Sequence, residues 1–253
     1  MLTRPEEMPH RAFPLAYVLW LNARRSALGA RHLSMWRYQL KTRPKKMTLP
    51  NAMQIEQFWN WFIDVSDQLL AGIEKEAYMQ RLDERLLALH PGLRWEICPG
   101  VSRARQLTIS PNLDPELRAT AQQIVFAAPV LANWEYCAAR QPKEWSYKIH
   151  LASHGQQPVE LDATNWVFIL LSSPDSGYYM LLSDPNLPLL TEAQRRQAAA
   201  DVLCNLLGEE LVMETIRDFE LVYNFHHYLG QRASPIHLLP AVIESVQDCR
   251  TSG

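Results

Sequence analysis

The chain has 253 residues, of which 47% are apolar and 21% charged, a composition that excludes global disorder. Its formal net charge of −2 hides an uneven distribution. Residues 1–46 carry 10 Lys/Arg and 2 Asp/Glu, a net charge of +8. The other 15 Lys/Arg and 25 Asp/Glu give residues 47–253 a net charge of −10. This division predicts a basic N-terminal extension followed by a single acidic domain.

The longest apolar stretches are well short of the ~20 residues that cross a bilayer, so no membrane partner is expected. The cysteines are widely spaced and form no close pair of the kind that binds zinc or performs thioredoxin-type redox chemistry. We therefore expect a cytoplasmic protein with reduced thiols, no cofactor and no bound metal. The four cysteines are Cys98, Cys137, Cys204 and Cys249.

The basic extension over residues 1–46 has three interpretations. It is an arm that contacts nucleic acid or another anionic surface, a targeting segment, or an upstream stretch that is not native because translation starts at Met47 or Met53. The third interpretation is favoured, with the segment either disordered or not native. Nucleic-acid binding is disfavoured, because the basic residues are not interleaved with stacking aromatics in a recognisable pattern.

The first half of the acidic domain begins with helix patterns. Apolar residues at steps of three or four predict a helix over residues 58–73, and a second helix is predicted over 75–89. Period-two alternation then predicts a strand over 93–98, with a partner strand around Leu107 and Ile109. A capped helix follows Asp114, and residues 134–139 return as a strand.

The second half repeats this order. Strands are predicted over 166–172 and 178–182, then a helix between the capping box at Thr191 and Gly208, then a strand over about 211–223. The pattern indicates two strand-strand-helix-strand units, with halves at 74–140 and 147–224. A further hairpin is expected between them, over 148–161, and a last helix over 236–246. The predicted fold class is α+β, with a mostly antiparallel sheet and helices packed on one face.

Histidines and acids provide one catalytic hypothesis. His150 and His154 have the H-x3-H spacing of metal ligands, although the surrounding residues predict a strand and a turn rather than a helix. His226 and His227 follow a predicted strand that carries Asp218 and Glu220. A metal-dependent or general acid/base hydrolase that uses these groups is the alternative function, and solvated surface residues are the simpler explanation.

A few residues are candidates for binding. Arg140 ends a predicted strand close to Trp145, an arrangement typical of partner-binding anchors. Arg103 and Arg105 form a small basic spot in a hairpin loop, and Glu209, beside Glu210, follows a helix end. Simpler explanations are an exposed arginine packed over Trp145 and a pair of solvated acids.

Three segments carry a resemblance to a known group. They are FWNWF at 58–62, the run LTIS at 107–110 with AAPVLANWEYCAARQP at 127–142, and LLGEELVMETIRDFELV at 206–222. Over about residues 53–225 the chain resembles uncharacterised bacterial proteins classed as domains of unknown function. The resemblance implies a bacterial origin and supplies no catalytic residues. Together with the acidic, aromatic-rich domain, it favours a non-enzymatic protein-binding module of immunity or adaptor type, binding through an aromatic patch rimmed by acids.

Overall fold

The computed structural model describes residues 49–72, 75–153, 156–173, 177–184, 186–225 and 232–251. All of them belong to one compact unit, Thr48–Gly253. The extension at 1–46, with its three interpretations, lies outside the described residues, as do His154, His226 and His227. The fold is α+β with mostly antiparallel strands, as predicted.

The first half opens with two helices and continues as a three-stranded sheet. Asn51 and Gln54 form a capping box at the start of the first helix, and Gly72 ends that helix at φ 72°. Strand β1 pairs antiparallel with β2, and β2 pairs parallel with β3. The elements are α1 (Ala52–Ala71), α2 (Lys75–Leu89), β1 (Arg94–Pro99), β2 (Arg105–Ser110), a 3-10 turn (Pro115–Leu117), α3 (Arg118–Phe126) and β3 (Trp134–Cys137).

The described residues of the second half form a separate two-stranded hairpin, a four-stranded sheet and three helices. The sheet has the strand order β8-β7-β6-β9. The elements are β4 (Lys148–Ser153), β5 (Gln156–Asp162), β6 (Val167–Ser173), β7 (Gly177–Ser183), α4 (Glu192–Leu207), α5 (Glu209–Thr215), β8 (Ile216–Val222), β9 (Ser234–Pro235), a 3-10 turn (Ile236–Leu238) and α6 (Leu239–Thr251).

The duplicated order is confirmed at the level of strand pairing. In each half, an antiparallel hairpin is followed by a helix and by a strand parallel to the second hairpin strand: β1-β2-α3-β3 and β6-β7-α4-β8. The strand predicted from residue 211 starts instead at Ile216, because α5 occupies residues 209–215. Glu209, Val212 and Thr215 of α5 are buried at a spacing of three, which fits a helix face. The described strands also form three sheets rather than the single sheet that the sequence suggested.

Each half has its own apolar core. In the first, edge-to-face rings from α1 and β3 pack together, with centroids 5.0 Å apart for Phe62 and Trp134. The second core centres on the fully buried Trp166. Strand β2 is buried on both faces, because Gln106, Thr108 and Ser110 are covered as well as the apolar residues between them. Polar groups of the first half therefore lie in the interior and need partners.

Candidate functional site

Glu209 lies at the turn between α4 and α5. Gly208 adopts φ 78° and ψ 148°, a conformation that favours glycine, and its N–H donates to the Cys204 carbonyl at 2.9 Å. The Glu209 N–H donates to the Arg140 carbonyl at 2.8 Å. This turn directs the Glu209 side chain inward, where it is 0% exposed. The simpler expectation of a solvated acid is therefore wrong for Glu209, whereas Glu210 is exposed.

The buried Glu209 carboxylate accepts three hydrogen bonds from the first half of the chain. The Ser110 hydroxyl donates at 2.7 Å, the Leu113 N–H at 2.8 Å and the Arg140 N–H at 3.0 Å. Asn112 and Leu113 have φ angles of 56° and 60°, which non-glycine residues rarely adopt. These hydrogen bonds offset the cost of burying the carboxylate. They also hold the turn after β2 in a strained conformation.

The Arg140 side chain lies beside this carboxylate and is 14% exposed. Its Nη1 atom donates to Asp201 Oδ1 at 2.8 Å, and its Nε atom lies 3.9 Å from Glu209 Oε2. Burial by itself lowers the pKa of Arg140. The neighbouring Cys204, Glu209 and Asp201 raise it by more, so the pKa of Arg140 lies above its ordinary value. Burial also raises the pKa of the Cys204 thiol to about 12. The thiol is therefore neutral at neutral pH, and the two carboxylates balance the guanidinium.

A polar cleft of about 260 Å³ opens beside the Arg140 side chain. The Ser110 hydroxyl at its base donates to Glu209 and accepts from the Asn112 N–H at 2.9 Å. Ser110 is 1% exposed and Cys204 is 0% exposed, so neither the hydroxyl nor the thiol is open to solvent. The hydrogen bonds that Ser110, Leu113 and Arg140 donate to Glu209, with the Arg140–Asp201 pair, form a buried network that connects the two halves of the domain. The cleft is lined by Arg94, Trp95, Glu96, Ser110, Asn112, Arg140, Gln197 and Asp201.

The other predicted binding residues lie elsewhere in the domain. Trp145 is partly buried against the second core and stacks on Tyr147, with ring centroids 5.0 Å apart and planes at 26°. Arg103 is exposed in the β1–β2 loop and donates to the Ala132 carbonyl at 3.1 Å, and Arg105 is the first residue of β2. The structure thus brings together Arg140 and Glu209, and Trp145 lies partly buried against the second core.

The proposed hydrolase residues that can be located lie on different sheets. His150, on β4, is 67% exposed, and its Nδ1 atom lies 3.8 Å from Glu160 Oε2 on β5. Asp218, on β8, pairs with Arg196 at 3.2 Å, and burial raises the pKa of Glu220 on the same strand. Within the described part of the chain, no three His, Cys, Asp or Glu side chains are placed to hold a metal ion. Because three of the histidines lie outside that part, the hydrolase remains a prediction.

An apolar groove between α1 and the C-terminal end of α3 was not anticipated from the sequence. Its volume is about 420 Å³. Ile55 and Trp59 form its floor and are 2% and 3% exposed, and the Trp59 indole N–H donates to the Ile124 carbonyl at 2.8 Å. Ile63 and Phe126 line its sides and are 44% and 93% exposed. The remaining lining residues are Ala52, Glu56, Asn60, Gln123, Ala127 and Pro129.

One sequence signal does point to this groove. The buried residues of α3 are Thr120, Ala121 and Ile124, and Phe126 lies two positions beyond the last of them. A step of two on a helix points to a different side, so Phe126 is out of phase with the core-facing stripe. A large aromatic residue out of phase on an amphipathic helix is the kind of pattern that marks an exposed contact.

No protein-family model matches this chain, and no match was found among curated proteins or solved structures. The resemblance to bacterial domains of unknown function therefore stays a prediction. Among the described residues, no helix is both long and apolar enough to cross a membrane.

Proposed function

We propose that this protein is a non-enzymatic protein-binding module, of immunity or adaptor type, whose partner binds in the groove between α1 and the end of α3. One observation carries the proposal. Phe126 is 93% exposed beside Ile63, which is 44% exposed, at the side of a groove with an apolar floor. Aromatic residues that project beside a pocket are typical anchors of protein–protein interfaces.

The folded domain gains little from an exposed phenylalanine at position 126. Covering such a side chain fully contributes about 1.5–3 kcal/mol, and here almost none of that contribution is realised within the chain. Val130, four residues later, is 95% exposed. A partner that covers both side chains would bury apolar surface that folding leaves in water.

The sequence predicts an exposed aromatic patch rimmed by acids as the binding surface. Trp59, Trp134 and Trp166 do not contribute to such a patch, because they are buried in the two cores. The exposed aromatic of the groove is Phe126, and the acid at its side is Glu56. An exposed phenylalanine with one acid at the groove supports the hypothesis of an aromatic binding patch.

Affinity capture from a lysate of the source cells tests the proposal. The bait is the full chain in three forms: wild type, Phe126→Ser, and Leu189→Ser as a matched control. Leu189 is 96% exposed in the loop before α4, so both substitutions remove a solvent-facing apolar side chain and leave the cores intact. We expect one stoichiometric protein that wild type and Leu189→Ser retain and Phe126→Ser loses. Equal retention by all three forms would contradict binding through this groove.

A further inference from the structure

We infer that the partner inserts a cationic amphipathic helix into the groove between α1 and α3. This inference rests on the proposed function and specifies the chemistry of the partner. It follows from the charges along the groove, from the backbone groups that the groove offers, and from the pattern of side chains along α1.

The charged residues of α1 are all acidic, and one of them, Glu56, lines the groove. Helix α1 contains Glu56, Asp64 and Asp67, all exposed, and no Lys or Arg over its 20 residues. On the other side, residues 119–134 contain no Lys, Arg or His and a single acid, Glu135, lies just beyond them. The domain that carries these walls, residues 47–253, has 15 Lys/Arg against 25 Asp/Glu. A basic partner is attracted to this surface, and an acidic one is repelled.

The backbone of the groove favours a helical occupant. An extended peptide gains affinity by adding main-chain hydrogen bonds to an open strand edge. Here none of the lining residues belongs to a strand, because they come from α1, from the end of α3 and from Ala127 and Pro129 just after it. N–H and C=O groups in a helix interior are already bonded within the helix. The indole N–H of Trp59 on the floor is bonded too. A partner helix brings its own satisfied backbone and needs only side-chain contacts.

The pattern of side chains along α1 matches such a helix. Glu56, Asn60 and Ile63 line the groove at steps of four and three, and Asp67 continues the same stripe one turn beyond Ile63. The exposed apolar residues that line the groove are Ile63 and Phe126, and along α1 the acids Glu56 and Asp67 lie about two turns and one turn from Ile63. An apolar stripe flanked by lysines or arginines on the partner complements this order.

Two synthetic helices test the inference against the full chain by isothermal titration. Each has about 18 residues, a length at which isolated helices become stable. Both carry leucines at i, i+4, i+7 and i+11. One has lysines beside the leucines, and its twin has glutamates at the same positions. The titrations use wild type, Phe126→Ser, Leu189→Ser and the charge variant Glu56→Lys/Asp67→Lys.

We expect the lysine peptide to bind wild type at least about tenfold more tightly than its twin at low salt, with a smaller ratio at high salt. Phe126→Ser should weaken its binding, Leu189→Ser should not, and Glu56→Lys/Asp67→Lys should abolish the preference. Equal binding of the twins, tighter binding of the glutamate peptide, or no binding of either would overturn the inference. The proposed function would survive those results if lysate capture still depended on Phe126, and would fall only if it did not.

Discussion

Replacing Glu209 by glutamine tests whether the buried network stabilises the fold. The substitution keeps the size of the side chain and one acceptor oxygen, which still serves the Ser110 hydroxyl and the Leu113 N–H. It puts an amide NH2 group where Oε2 now accepts from the Arg140 N–H at 3.0 Å. Two donors then face each other, and the Arg140 guanidinium loses one of its two anionic neighbours.

The structure sets the size of the expected effect. An unsatisfied buried donor costs about 1–3 kcal/mol, and removing one partner of a buried ion pair costs about 3–5 kcal/mol. Asp201 still compensates Arg140, with a contact of 2.8 Å, so the second cost applies only in part. We therefore expect Glu209→Gln to lower the free energy of unfolding by about 3 kcal/mol, a large fraction of the total of about 5–15 kcal/mol.

The assay is urea unfolding of both variants and wild type, and Glu210→Gln is the matched control. Glu210 is the next residue, receives the same chemical change, and makes an exposed ion pair with Arg118 at 3.3 Å. Arg118 keeps a second acidic partner, Glu214, at 3.0 Å. The control should cost less than about 1 kcal/mol. If Glu209→Gln cost no more than Glu210→Gln at an unchanged m-value, the network would not stabilise the domain as described.

Gly208→Ala should destabilise the domain by about 2 kcal/mol or more in the same assay, because φ is 78° and the new Cβ would lie 2.8 Å from Pro142 Cδ. Gly72→Ala should cost less, because φ is 72° but nothing lies within 4 Å of the new Cβ. Equal costs of the two substitutions would refute the clash at Gly208. The Cys204 thiol, with a pKa raised to about 12, should react with a thiol reagent at pH 8 only at the rate of unfolding, and rapid labelling of the native protein would contradict its burial. Hydrogen bonds lower the pKa of Glu135 to about 2, so its contribution to stability is present above pH 4.5 and lost as the pH falls toward 2. Glu135→Gln should flatten this part of the curve of urea midpoint against pH, and an unchanged curve would refute the assignment.

Local signals in the sequence predicted much of the fold. The bounds of α2 over 75–89 are those that the periodic pattern indicated, and the capping box at Thr191 and Gln194 starts α4. The hairpin over 148–161 is present as β4 and β5, and the repeated order of elements extends to the strand pairing. These features are set by residues that are close together in the sequence. Periodicity and turn chemistry carry information over such short stretches.

The buried network and the groove depend on long-range packing that periodicity does not report. Ser110 and Glu209 are 99 residues apart in the chain, yet the hydroxyl donates to the carboxylate. Two adjacent acids after a glycine look alike in sequence, and only the turn at Gly208 buries one and exposes the other. The same limit applies to Trp145, which packs partly buried against the second core.

Site-specific photo-crosslinking tests the central claim, that the groove between α1 and α3 is the protein-binding surface. A photoreactive phenylalanine analogue is placed at position 126 in one form of the full chain and at position 189 in another, and both are irradiated in source cells. Both positions are solvent-facing, at 93% and 96% exposure. We predict one discrete crosslinked protein from position 126, lost when Ile63→Glu is added, and none from position 189. A crosslink of equal strength from position 189, or none from position 126, would contradict the claim.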